Sequence, residues 1–119
     1  MTRLRALAAA ALVAIPFAAS PAELVMFEED GCPWCIRWNE EVGGSYAKTP
    51  EGELAPLRRV DITEPVPSDL ELAMKPRYTP TFVLVEDGVE VGRIEGYPGA
   101  DFFWPLLQNL LEKLPETSP

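Results

Sequence analysis

The chain has 119 residues, enough for one small domain with one core. It carries 19 acidic against 10 basic residues, a net charge of −9 that argues against a nucleic-acid partner. Histidine is absent, which excludes a Cys-His or Ser-His catalytic pair.

Residues 1–22 read as a secretory signal peptide. Arg3 and Arg5 form the charged start, residues 6–17 are apolar and uncharged, and small residues follow. The cut is expected at Ala18-Ala19-Ser20 or Ser20-Pro21-Ala22. The apolar run is shorter than the roughly 20 residues of a spanning helix, and Leu4 separates the two arginines, against a twin-arginine signal. An uncleaved membrane anchor is the alternative. Every acidic residue lies at or beyond Glu23, so losing Arg3 and Arg5 leaves 8 basic against 19 acidic residues and deepens the charge from −9 to −11. The expected organisation is thus a leader over 1–22 and one domain over 23–119, exported to the periplasm.

In the domain, residues 24–27 are apolar throughout, as in a central strand covered on both faces. Gly31-Cys32-Pro33-Trp34-Cys35 follows and holds both cysteines of the chain. A helix-compatible stretch comes next, over residues 36–42, with Gly43-Gly44 expected to halt it. Thiols placed where a strand feeds a helix meet unpaired N–H groups and the positive end of the helix dipole, so Cys32 is favoured as a thiolate. Cys35, one turn on, is within reach to resolve a mixed disulfide.

Two other readings of the pair weigh less. A structural bridge across two residues closes too small a loop to constrain the unfolded chain much. A Cys-x-x-Cys pair is also half of a tetrahedral metal site, but no second pair and no histidine complete it, so neither metal nor other cofactor is expected beyond a redox-active Cys32-Cys35 disulfide.

A connection over residues 45–52 leads to a second strand at 57–62. Pro65 and Pro67 bring the chain to an expected acidic helix over 69–75, with Ser68 as its cap and Pro76 as its stop. Residues 81–85 are β-branched and aromatic, the clearest strand. Asp87-Gly88 signals a tight turn into a fourth strand over 89–95 that alternates apolar with polar. Gly96-Tyr97-Pro98-Gly99 breaks it, and a last helix over 101–113 shows an apolar stripe of Leu106, Leu107, Leu110, Leu111 and Leu114. Pro105 suits that helix only in or near its first turn. The order is β-α-β-α-β-β-α, an α/β fold with a central mixed sheet flanked by helices.

This order, Cys32-Pro33-Trp34-Cys35 after the first strand, and Tyr78-Thr79-Pro80-Thr81 opening the third resemble the thioredoxin superfamily. Residues 27–32, 56–62 and 92–99 are most similar to the SoxS-type periplasmic thioredoxins of sulfur-oxidation systems. The resemblance implies a thiol–disulfide oxidoreductase acting as a reductase, which keeps a cysteine of a sulfur-carrier protein active and is itself recharged by a membrane thiol electron donor. It implies Cys32 as nucleophile, Cys35 as resolving thiol, and Pro80 as the cis proline facing the pair. Thr79 would offer its backbone to an extended substrate, beside Trp34 and Pro33. A monomer is expected.

One departure matters. Thioredoxins carry a buried aspartate in the first strand as a proton relay, and the matching residue here is Met26, which leaves Glu28 as the candidate. Glutaredoxins share a Cys-Pro-aromatic-Cys sequence but hold glutathione with basic residues, whereas Glu28-Glu29-Asp30 precedes the motif here. Two further functions stay open from sequence: a disulfide oxidase or isomerase, which the threonine at Thr79 also suits, and a metal- or peptide-binding protein without redox turnover.

Overall fold

The structure is a computed structural model that describes residues 21–115; residues 1–20, where most of the expected leader falls, and the tail from Glu116 lie outside the described residues. Strand β1 (Ala22–Glu28) is the axis of the fold. It pairs in parallel with β2 (Leu57–Asp61) and antiparallel with β3 (Thr81–Glu86), which pairs antiparallel with β4 (Val89–Glu95). The mixed sheet therefore runs β2-β1-β3-β4. Because side chains alternate along a strand, Leu24 and Met26 enter a core with Phe82 and Leu84, while Val25 and Phe27 enter a second with Val83 and Val85 on the opposite face. The apolar run read from sequence as doubly covered is so.

The first face is covered by helix. Pro33–Trp38 forms α1, Asn39–Gly43 a π-helical turn, and Gly44–Tyr46 α2, so the chain stays helical to Tyr46. The expected stop at Gly43-Gly44 does not occur. Glycine inside a helix costs about 1 kcal/mol relative to alanine, and burying Val42 and Tyr46, whose hydroxyl donates to the Ala55 carbonyl at 2.7 Å, outweighs it. A side chain at Gly43 would also start 3.0 Å from the Trp38 ring, so the glycine makes room for that indole. The expected connection over residues 45–52 runs into a short helix, α3 (Pro50–Leu54), capped by the Thr49 hydroxyl on the Gly52 N–H and started by Pro50.

The second face carries a correction. No helix forms over 69–75, and Ser68 caps nothing: Ser68 and Asp69 form a turn, Glu71 makes an isolated bridge to Val89, and the chain bends at Ala73 and Met74. The Glu71 N–H donates to the Gly88 carbonyl at 2.7 Å, and the Glu90 N–H to the Glu71 carbonyl at 2.9 Å. Leu70 and Leu72, two apart, cover Val25, Phe27, Val83 and Val85 with a period of two rather than 3.6. Arg58 fixes the start of the stretch by a bidentate pair with Asp69 at 2.8 and 2.9 Å. The α/β class and the mixed sheet stand; one covering layer is a strap.

The hairpin turn has both Asp87 (φ 51°) and Gly88 (φ 82°) left-handed, the geometry that an Asp-Gly pair adopts between strands. The last helix, α4 (Ala100–Leu111), starts one residue earlier than expected and holds Pro105 in its second turn. Burial of Phe103, Leu107 and Leu110 carries the helix through, and Leu106 from the expected stripe faces outward.

Candidate active site

The sulfur site sits where β1 ends and α1 begins. Cys32 caps α1: its backbone is extended (φ −78°, ψ 109°), and its Sγ accepts from the Cys35 N–H at 3.1 Å. Pro33 takes the first helical position, where a missing N–H costs nothing. Cys32 and Cys35 are joined as a disulfide, the two residues 6% and 3% exposed. The first turn of α1 carries no acidic residue, so an N–H at a helix start is aimed at Cys32 Sγ with no carboxylate in that turn to oppose it. Such a sulfur can carry negative charge once the bridge is opened.

Trp34 projects between the cysteines at 52% exposure. The Arg37 guanidinium lies 5.6 Å from its ring centroid, a cation–π distance. Trp38 has the opposite fate: fully buried, it packs against the rings of Tyr46, Phe82 and Phe103 at 6.2, 5.1 and 5.8 Å.

The turn before β3 meets the loop before Cys32. Thr79 Oγ1 donates to Glu29 Oε2 at 3.1 Å, and the Cys32 N–H donates to the Glu29 carbonyl at 3.3 Å. The Thr79-Pro80 peptide is cis, Pro80 is buried, and its carbonyl accepts from the Gly96 N–H at 2.8 Å. Thr79 is half-buried and Pro33 exposed.

Glu28 is half-buried and paired with Arg59 at 2.9 Å. Arg59 is a residue that the sequence reading missed. Besides Glu28, its guanidinium donates to Asn39 Oδ1 at 2.9 Å, reaches Met26 Sδ at 3.7 Å and lies 5.9 Å from the Trp38 ring centroid. The register pairs Met26 with Arg59 across β1 and β2, a proximity that neither strand shows alone. Beside it a cleft of about 250 Å³ is lined by Glu28, Glu29, Asp30, Arg59, Val60 and Asp61, four acids to one arginine.

A second missed set joins α1 to the loop after β4. Arg37 Nε pairs with Glu41 Oε2 at 3.0 Å, and Tyr97 Oη donates to Glu41 Oε1 at 2.6 Å. These two hydrogen bonds, the Tyr97 bond first, hold the Glu41 carboxyl below its ordinary range. Burial and then the Glu41 bond push the Tyr97 phenol up to about 12, so at neutral pH it stays a donor. Among the described residues no group of three or more His, Cys, Asp or Glu is arranged to hold a metal ion, and no helix is long and apolar enough to cross a membrane.

A disulfide across two residues at a helix start, on a β2-β1-β3-β4 mixed sheet and beside a cis-proline turn, defines a thioredoxin-fold thiol–disulfide oxidoreductase. The family model described as thioredoxin-like domain matches residues 9–111, and the chain belongs to that family. Among solved structures it is similar to the periplasmic thioredoxin SoxS from Paracoccus pantotrophus in its reduced form, at 49% identity and a TM-score of 0.76, covering 77% of this chain and 97% of that one. It is also similar to a mutant thioredoxin from Halobacterium salinarum, at 26% identity and a TM-score of 0.58, covering 81% of this chain and 80% of that one. A thioredoxin-fold protein from Helicobacter pylori, 20% identical with a TM-score of 0.56 over 75% of this chain and 68% of that one, shares the fold. No curated protein matches the chain.

Proposed function

We propose that this protein is a periplasmic reductase of protein disulfides, which returns a blocked cysteine of a sulfur-oxidation carrier protein to its thiol form. The observation that carries the reading is the Cys35 N–H aimed at Cys32 Sγ; the likeness to a periplasmic SoxS thioredoxin supports the compartment. Export fits a cut before Pro21. Ala22 is a core residue of β1, and the Pro21 carbonyl accepts from the Asp87 N–H at 2.7 Å, so both belong to the folded domain.

The reaction is a balanced exchange. The Cys32 thiolate attacks one sulfur of the substrate disulfide, the substrate S–S bond breaks, and the first substrate thiolate leaves. Cys35, deprotonated, then attacks Cys32 Sγ, expels the second substrate sulfur as thiolate and leaves the Cys32-Cys35 disulfide. Two electrons have passed to the substrate, and a dithiol donor on the membrane restores them. Thr79 and Pro80 line the substrate's path beside Trp34 and Pro33. Glu28 is the group proposed to take the Cys35 proton, with Arg59 holding its carboxylate in place of the family's buried aspartate.

That role gives one expectation. Glu28→Gln keeps the size of the side chain and removes its basicity, so resolution of the mixed disulfide slows by about a hundred- to a thousandfold, in the lower half of the range for a lost general base. Stopped-flow release of the second substrate thiol reads it, and an unchanged rate between pH 6 and 9 removes Glu28 from the mechanism.

The function itself is tested on two substrates, a carrier-protein cysteine blocked by a protein disulfide and the same cysteine blocked by glutathione. Glu28, Glu29 and Asp30 repel an anionic tripeptide, so the protein disulfide is expected to be reduced at least about tenfold faster in kcat/KM, a difference of about 1.4 kcal/mol. Equal or faster reduction of the glutathione adduct at ordinary salt contradicts the reading.

A further inference from the structure

The exposed Trp34 platform is held from outside its own helix. Its ring rests beside Arg37, Arg37 is fixed by Glu41, and Glu41 spends its other oxygen on the Tyr97 hydroxyl. Tyr97 is 7% exposed and stands in the loop whose preceding residue, Gly96, donates its N–H to the Pro80 carbonyl. One short loop therefore reaches both sides of the sulfur site, the cis-proline turn through backbone and the Trp34 platform through a phenol, a carboxylate and a guanidinium.

We propose that Tyr97 and Glu41 are positioning residues that set Trp34 relative to the Thr79-Pro80 turn, and so fix the fit of a polypeptide around the reacting disulfide. The local fold supports this. Glu41 lies in the π-helical turn Asn39–Gly43, whose extra residue per turn shifts side-chain phase. Glu41 still meets Arg37 on its own helix and, at the same time, Tyr97 fifty-six positions away. The Arg37–Glu41 pair is solvent-exposed, and exposed pairs of this spacing add little to stability. Their work is orientation, because a cation that stacks on an indole only when its own position is fixed restrains the ring.

The inference rests on the reading of the site as a protein-disulfide reductase, and its test separates the two. Tyr97→Phe removes the donor and keeps the packed ring. In the full protein it is expected to raise KM for the protein disulfide by about two- to fivefold, the size of one loosened cation–π contact, with kcat held. Tyr97→Phe made on Trp34→Ala is expected to raise KM no further than Trp34→Ala alone, since the phenol acts through the indole. Acrylamide quenching of the Trp34 emission, taken as the difference between the protein and Trp34→Phe, is expected to rise in Tyr97→Phe. An unchanged KM together with unchanged quenching overturns the proposal, as does an additive double variant. A parent protein that reduces no protein disulfide overturns the functional reading instead, and the quenching still decides whether Tyr97 holds Trp34.

Discussion

Cys32→Ser is expected to drop disulfide reduction by roughly a thousandfold or more, to the background of uncatalysed exchange, because the attacking sulfur is lost. Cys35→Ser is expected to do something different. Its Cys32 still attacks, so the first substrate thiol is released in a single burst, and the enzyme then accumulates as a mixed disulfide that nothing resolves. The asymmetry follows from the site. Cys32 caps α1 and receives the Cys35 backbone N–H, which Cys35→Ser leaves in place, while the Cys35 sulfur receives no such donor from the start of α1. Mass spectrometry of the protein after mixing with a blocked carrier protein reads the adduct directly. A stable adduct on Cys32→Ser alone would reverse the assignment of nucleophile and resolving thiol, and stable adducts on both variants would contradict the asymmetry.

The largest structural effect is expected at the other tryptophan of α1. Trp38 is fully buried among Tyr46, Phe82 and Phe103, with Gly43 cleared to admit its ring. Trp38→Ala is expected to cost about 3–5 kcal/mol, through lost transfer energy and the cavity left behind. A domain of this size has about 5–15 kcal/mol in total, so the variant retains only part of its stability or none. Trp34→Ala, at an exposed ring, is expected to stay within about 0.5 kcal/mol of the parent. Urea denaturation of the two variants checks the contrast; a Trp38→Ala midpoint equal to that of Trp34→Ala would contradict the packing described.

Local signals carried the strands well. The unbroken apolar run of β1, the β-branched run of β3 and the Asp87-Gly88 turn each encode their state within a few residues, and all three stand in the structure. The misreadings came where distant contacts decide. Residues 69–75 are acidic enough to suggest a helix, yet Leu70 and Leu72 need a period of two to cover Val25 and Val85, and that face exists only once the sheet is built. Gly43-Gly44 reads as a stop until Trp38 is seen to need the space above Gly43. Thr49-Pro50, by contrast, is a local cap-and-start signal for α3, legible within two residues.

The site divides in the same way. The sulfur pair, Trp34, Thr79 and Pro80 lie in two short motifs, and the Thr79–Glu29 bond joins those motifs in space. Arg59, Glu41 and Tyr97 were not legible. Each is an ordinary charged or aromatic residue whose meaning depends on register: Arg59 on lying opposite Met26, and Glu41 on a π-helical turn that no local pattern announces. A charged residue within a half-buried strand was the one available signal for Arg59.

In the proposed function electrons leave this protein for its substrate. The reduction potential of the Cys32-Cys35 couple, equilibrated against defined thiol buffers, tests it most directly. The expected value is more negative than roughly −230 mV, toward the roughly −270 mV of thioredoxin; a value near the roughly −120 mV of a strong periplasmic oxidant would make the protein an acceptor of electrons instead.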